Sequence, residues 1–123
     1  MVKVKNTTVF ILEENEEYSF MLDYIISRDN DCHIVRFNSR EQFLNSLDQN
    51  PGLIILDDPA SALTTLREIK NRLPDSHVVI LADKEDIEMA TRFIMEGAED
   101  YLLKKKEVLN QIRDIVDTVF HTR

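Results

Sequence analysis

The 123-residue sequence has one cysteine, two glycines, three prolines and no tryptophan. A single thiol, Cys32, excludes an internal disulfide and points to a reducing, cytoplasmic setting. The glycines, Gly52 and Gly97, are isolated from each other, which leaves no glycine-rich phosphate loop and argues against P-loop and dinucleotide-binding folds. No apolar run approaches the ~20 residues needed to span a membrane. The opening MVKVKNTTVFIL is basic but has neither the apolar stretch nor the A-x-A-like cleavage site of a signal peptide. Positive charge is also scarce: 15 Lys and Arg stand against 23 Asp and Glu, a net charge of −8. The one basic cluster, Lys104-Lys105-Lys106, is flanked by Glu99, Asp100 and Glu107. Neutralising nucleic-acid phosphates needs segregated Lys and Arg, so direct nucleic-acid binding is not expected.

What the sequence does have is a rhythm. Short apolar runs recur at Thr8–Leu12, His33–Phe37, Leu53–Leu56, Val78–Ala82 and Tyr101–Leu103. Their length and unbroken apolarity suit strands buried on both faces. Helical spacing fills the gaps. Tyr18, Met21, Leu22, Ile25 and Ile26 share one helix. Phe43, Leu44 and Leu47 share a second, with Ser39 as N-cap and Gln42 as its capping-box partner. Leu63, Leu66, Ile69 and Leu73 mark a third that Pro74 closes, and Ile87, Ala90, Ile94 and Ala98 a fourth. Val108, Leu109, Ile112, Ile115, Val116, Val119 and Phe120 make the clearest amphipathic helix. Strand and helix thus alternate five times, with no repeats, low-complexity segments or linker. That order predicts one α/β domain over residues 1–123, a parallel sheet covered by helices on both faces.

In such a sheet, ligands bind beyond the carboxyl ends of the strands. Those ends read Glu13-Glu14-Asn15, Asp57-Asp58-Pro59, Ala82-Asp83-Lys84 and Lys104-Lys105-Lys106. Carboxylates gathered at one edge repel, and a hard divalent cation with a nearby lysine would offset them. Three stretches, "ILEEN", "PGLIILD" and "GAEDYLLK", together with their spacing, resemble the receiver domains of two-component response regulators over about residues 7 to 120. The resemblance implies a flavodoxin-like, doubly wound (βα)5 fold with strand order 2-1-3-4-5. It implies a signalling module rather than an enzyme, working with a sensor histidine kinase or phosphotransfer protein. Asp57 matches the phospho-acceptor and Lys104 the lysine that contacts the phosphoryl group. Glu13 and Glu14 match the acidic pair that positions Mg²⁺, with Glu14 the direct ligand. Pro59 matches the residue giving a backbone carbonyl to the metal, and Tyr101 the switch aromatic. Asp58 reads as a solvated neighbour.

The sequence departs from that family at the same edge. Ala82 stands where the switch hydroxyl is expected, and alanine has no such donor. Asp83 follows it. The acidic pair is Glu-Glu instead of Asp-Asp. The loop after Asp57 is about three residues short, and Lys105 stands where the family has proline. A pseudo-receiver, an interaction or dimerisation module independent of phosphate, is therefore the alternative. An aspartyl-phosphate phosphatase would need an aspartate at position 59, and a flavin site would not have so acidic a first loop. Taken singly, Glu13 and Glu14 read as helix-start acids, Asp57 as a cap, Lys104 as a surface lysine and Tyr101 as core. On the fourth helix, Ile87, Ala90 and Ile94 share one face and Met89 and Phe93 another. Both cannot pack on the sheet, and Met89 and Phe93 are taken as the face left for partners, in a homodimer through helix 4, strand 5 and helix 5.

Overall fold

A computed structural model describes residues 7–29, 31–57 and 60–120. Strands β1 (Thr8–Glu13), β2 (His33–Phe37), β3 (Leu53–Asp57), β4 (His77–Ala82) and β5 (Asp100–Leu103) alternate with helices α1 (Glu16–Asp29), α2 (Arg40–Asn45), α3 (Ala62–Arg72), α4 (Ile87–Met95) and α5 (Val108–Phe120). The strands form one parallel sheet in the order β2-β1-β3-β4-β5. This is the flavodoxin-like, doubly wound arrangement. Strand order reverses between β1 and β3, so their carboxyl ends flank the switch-point crevice.

The unbroken apolar runs serve two cores. Along β1, β3 and β4, Phe10, Leu12, Ile54, Leu56, Val78 and Ile80 face one way, into a core with residues of α2, α3 and α4. Val9, Ile11, Leu53, Ile55, Val79 and Leu81 face the other way, toward α1 and α5. Every residue of β3 is buried, which is why no polar residue interrupts it before Asp57. Phe10, Phe37 and Phe43 meet edge to face, with centroids 4.8 to 6.0 Å apart, and pin α2 to β1 and β2.

Local signals set the helix ends. The Asn15 side chain accepts the Tyr18 N–H at 2.8 Å and caps α1. Ser39 accepts the Gln42 N–H at 3.4 Å. The second helix is shorter than its apolar spacing suggests, because Ser46 ends it by bonding back to Phe43 and Gln42 and a 3-10 turn at Leu47–Gln49 follows. Pro74 forces Leu73 out of helical geometry and stops α3. Asp86 caps α4 by accepting the Met89 N–H at 3.0 Å. Beyond α4, Gly97 has φ +105°, and a Cβ there would lie 3.0 Å from Cε of Lys70. Only glycine meets both conditions without strain.

One face assignment reverses. Phe93 is buried and Met89 half-buried, both against the α2–α4 core. The apolar residues of α4 left in solvent are Ile87, Ile94 and Met95. Helical spacing offered both faces. The packed one is chosen by Tyr101 on β5, whose ring stacks on Phe93 with centroids 5.8 Å apart. Met89 and Phe93 are therefore not the exposed partner surface.

Candidate functional site

Side-chain alternation decides what meets at the carboxyl edge of the sheet. Glu13 and Asp57 continue the series Val9-Ile11 and Leu53-Ile55, so both lean to the α1/α5 side. They are also register partners across β1 and β3. Continuing β5 by one residue puts Lys104 on that side too. Its Nζ contacts Asp57 Oδ2 as a short charge-assisted hydrogen bond and lies 3.1 Å from Glu13 Oε1 and 3.8 Å from Asp83 Oδ1. The backbone supports this position, since the Lys104 N–H donates to the Ala82 carbonyl at 2.9 Å.

Glu13 and Asp57 are 4% and 6% exposed, among the few buried charged side chains described. One oxygen of Glu13 accepts the Asn15 N–H at 3.0 Å. The other, Oε1, has no aligned hydrogen-bond donor despite its closeness to Lys104. Burial, and next the adjoining Asp57, raise the Glu13 carboxyl from 4.5 to about 7. Burial works against the Lys104 ammonium, but its hydrogen bond to Asp57 and the nearby charge of Glu13 prevail and hold its pKa above the usual lysine value. The ammonium also lies over the Tyr18 ring, 4.5 Å from the centroid. The Tyr18 hydroxyl is buried without a hydrogen-bond partner, and burial raises its pKa.

Tyr18 is the participant that sequence reasoning missed. Its helical spacing with Leu22 marks it as core, and it does pack beside the α1/α5 core. The available signal was its place in the first turn of α1, directly after the Glu13-Glu14 edge.

The other expected residues are placed differently. Glu14 follows β1 and is exposed, apart from the Glu13–Asp57–Lys104 cluster. Pro59, like Asp58, lies outside the described residues. Ala82 and Tyr101 belong to the opposite face of the sheet, Tyr101 packing against the α2–α4 core. Both line a cleft that reaches Asp57. The Tyr101 hydroxyl donates to the Lys84 carbonyl at 3.2 Å. Among the described residues, no group of three or more His, Cys, Asp and Glu is gathered in a form that could hold a metal ion. The donor chemistry nonetheless suits a hard cation: two buried carboxylates on adjacent strands, one of whose oxygens has no hydrogen-bond donor. Lys104 supplies positive charge at that place.

The sequence profile of the response regulator receiver domain matches residues 9–117. The chain belongs to the response regulator receiver family. No curated protein matches the sequence. Solved structures share the receiver fold at low identity. A response regulator from Thermotoga maritima is 19% identical, with a TM-score of 0.83, the alignment covering 96% of this chain and all of that one. The beryllofluoride-activated NtrC4 receiver domain dimer is 18% identical, with a TM-score of 0.83, over 94% of this chain and 97% of that one. An atypical orphan response regulator, whose structure revealed a phosphorylation-independent regulatory mechanism, is 18% identical, with a TM-score of 0.82, over 94% and 97%. Receiver membership gives the Glu13–Asp57–Lys104 edge its interest. Among the described residues of this receiver, no helix is long and apolar enough to cross a membrane.

Proposed function

We propose that this receiver accepts a phosphoryl group on Asp57 from the phosphohistidine of a sensor kinase or phosphotransfer protein and signals through altered protein contacts in the cytoplasm. The observation that carries the reading is the contact of Lys104 with Asp57 at the carboxyl end of the central strand. An Asp57 oxygen forms the O–P bond as the N–P bond of phosphohistidine breaks, and that bond's electron pair returns to the imidazole nitrogen. Lys104 holds Asp57 Oδ2, leaving Oδ1 as the attacking atom, and its charge balances the oxygens of the transferring group. Mg²⁺ held at the buried Glu13 and Asp57 carboxylates would supply further charge neutralisation. Turnover of a separate substrate is not part of this role.

The exposed Ile87, Ile94 and Met95 of α4 support a contact surface beside β5 and α5, where a second copy or an effector would dock. Sedimentation at high concentration, with and without activation, tests the dimer. A strictly monomeric protein in both states would remove it.

Ala82 favours a second reading. Without a hydroxyl at that position, the cleft beside Asp57 has no side-chain donor from the end of β4 to take hold of a phosphoryl oxygen. A pseudo-receiver would keep Lys104 seated on Asp57 and act only by docking. Beryllofluoride with Mg²⁺ separates the two readings by amide NMR. A working receiver shifts the signals around Asp57, Ala82 and Lys104 in wild type and not in Asp57→Asn. Identical spectra with and without the reagent would leave the docking module.

A further inference from the structure

Three carboxylates surround the Lys104 ammonium. Nζ contacts Asp57 and lies 3.1 Å from Glu13 Oε1 and 3.8 Å from Asp83 Oδ1. The three are not equivalent. Glu13 and Asp57 are buried, whereas the Asp83 side chain is 73% exposed. Lysine is a strongly hydrated point charge on a flexible four-carbon stem. Swinging out to Asp83 would restore part of its hydration and take it off Asp57. A further neighbour of the ammonium carries no charge. It is the face of the Tyr18 ring, with Nζ 4.5 Å from the centroid.

That ring is fixed from its own side. It packs beside the α1/α5 core. The Tyr18 N–H donates to Asn15 Oδ1 at 2.8 Å, and the Asn15 N–H donates to Glu13 Oε2 at 3.0 Å. The turn that carries the ring is thus tied to the same carboxylate that faces Lys104. The Tyr18 hydroxyl is buried without a hydrogen-bond partner, so what Tyr18 offers the lysine is its face. Burial raises the hydroxyl's pKa, so the ring stays neutral and attracts the ammonium through its quadrupole.

We propose that Tyr18 is a positioning residue for Lys104, its ring face holding the ammonium in the inner seat on Asp57 and away from Asp83, so that the charge is in place when the phosphoryl group arrives. The inference rests on phosphoryl transfer to Asp57, and Tyr18 acts in it only through Lys104. The property required is an aromatic face, which phenylalanine has and leucine lacks.

The test has two readouts on the full chain. The first is the rate of phosphorylation by phosphoramidate with Mg²⁺, followed by intact mass. Tyr18→Leu should slow it by roughly fivefold to thirtyfold, the range of a partly desolvated cation–π contact. Tyr18→Phe should retain most of the wild-type rate. Asp83→Asn removes the outer seat, so it should speed Tyr18→Leu more than it speeds wild type. A plain packing defect at position 18 would not couple to Asp83 in this way. The second readout needs no donor. The Lys104 side-chain proton resonances should be shifted upfield by the ring in wild type and Tyr18→Phe, and not in Tyr18→Leu. Tyr18→Met replaces the leucine variant should that one not fold. Equal slowing by leucine and phenylalanine, no coupling to Asp83, or Lys104 resonances alike in all three proteins would overturn the proposal. If wild type takes up no phosphoryl group, the transfer reading fails instead, and the Lys104 resonances alone decide whether Tyr18 seats the lysine.

Discussion

Replacing Glu13 by glutamine should stabilise the protein at pH 8 and change it little at pH 4.5. Glutamine copies the protonated carboxyl, with an oxygen for the Asn15 N–H and an amide to donate toward Asp57. In the folded protein, burial and then Asp57 raise the Glu13 carboxyl from 4.5 to about 7. Between those values the folded state keeps a proton that the unfolded chain has released. The stability tied to this proton is therefore complete below pH 4.5 and is lost as pH rises through about 7. At about 1.4 kcal/mol per tenfold change in proton affinity, the ionised carboxylate costs at most roughly 3 kcal/mol above that range. For a domain of this size that corresponds to a rise in Tm on the order of 10 °C for the glutamine variant. Urea unfolding in EDTA at several pH values is the assay. The midpoints of wild type and Glu13→Gln should separate as pH rises from 5 to 8, with unchanged m-values. A constant difference across pH, or a variant less stable than wild type at pH 8, would show that Lys104 compensates the Glu13 charge and would refute the reasoning.

Three further substitutions probe the same scaffold. Lys104→Met leaves Glu13 and Asp57 buried without their cation and should cost ~3–5 kcal/mol at pH 8, with a smaller loss in urea melts below pH 7, where Glu13 takes up a proton. Tyr18→Phe keeps the ring under the Lys104 ammonium and removes a hydroxyl that has no partner, so it should be neutral or stabilising, whereas Tyr18→Leu should lose ~0.5–2 kcal/mol in the same melts. Gly97→Ala forces a methyl into positive φ against Lys70 and should cost roughly 1–3 kcal/mol by thermal unfolding.

The sheet was legible in the sequence because its strands are buried on both faces. A run such as Leu53–Leu56 has no polar position to blur it, and Asp57 then stands out as the first charge after it. The order of the strands and their winding followed from the family resemblance and match the structure. The fourth helix was less legible. Ile87 and Ile94 form as good a stripe as Met89 and Phe93, and periodicity carries no information about which stripe meets β5. That choice depends on the Phe93–Tyr101 contact, which is tertiary. The acidic pair raised a similar difficulty. Adjacent residues at a strand end point to opposite sides, so one of Glu13 and Glu14 is buried beside Asp57 and the other is not. Register between β1 and β3 assigns Glu13 to the buried place. Tyr18 was hidden because an apolar ring and a lysine partner 86 residues away share no local pattern.

The most direct measurement is the intact mass of the purified chain after incubation with phosphoramidate, with Mg²⁺ or with EDTA. The account predicts a gain of one phosphoryl group with Mg²⁺, absent in EDTA and absent in Asp57→Asn. No gain under any condition, or the same gain in Asp57→Asn, would contradict it.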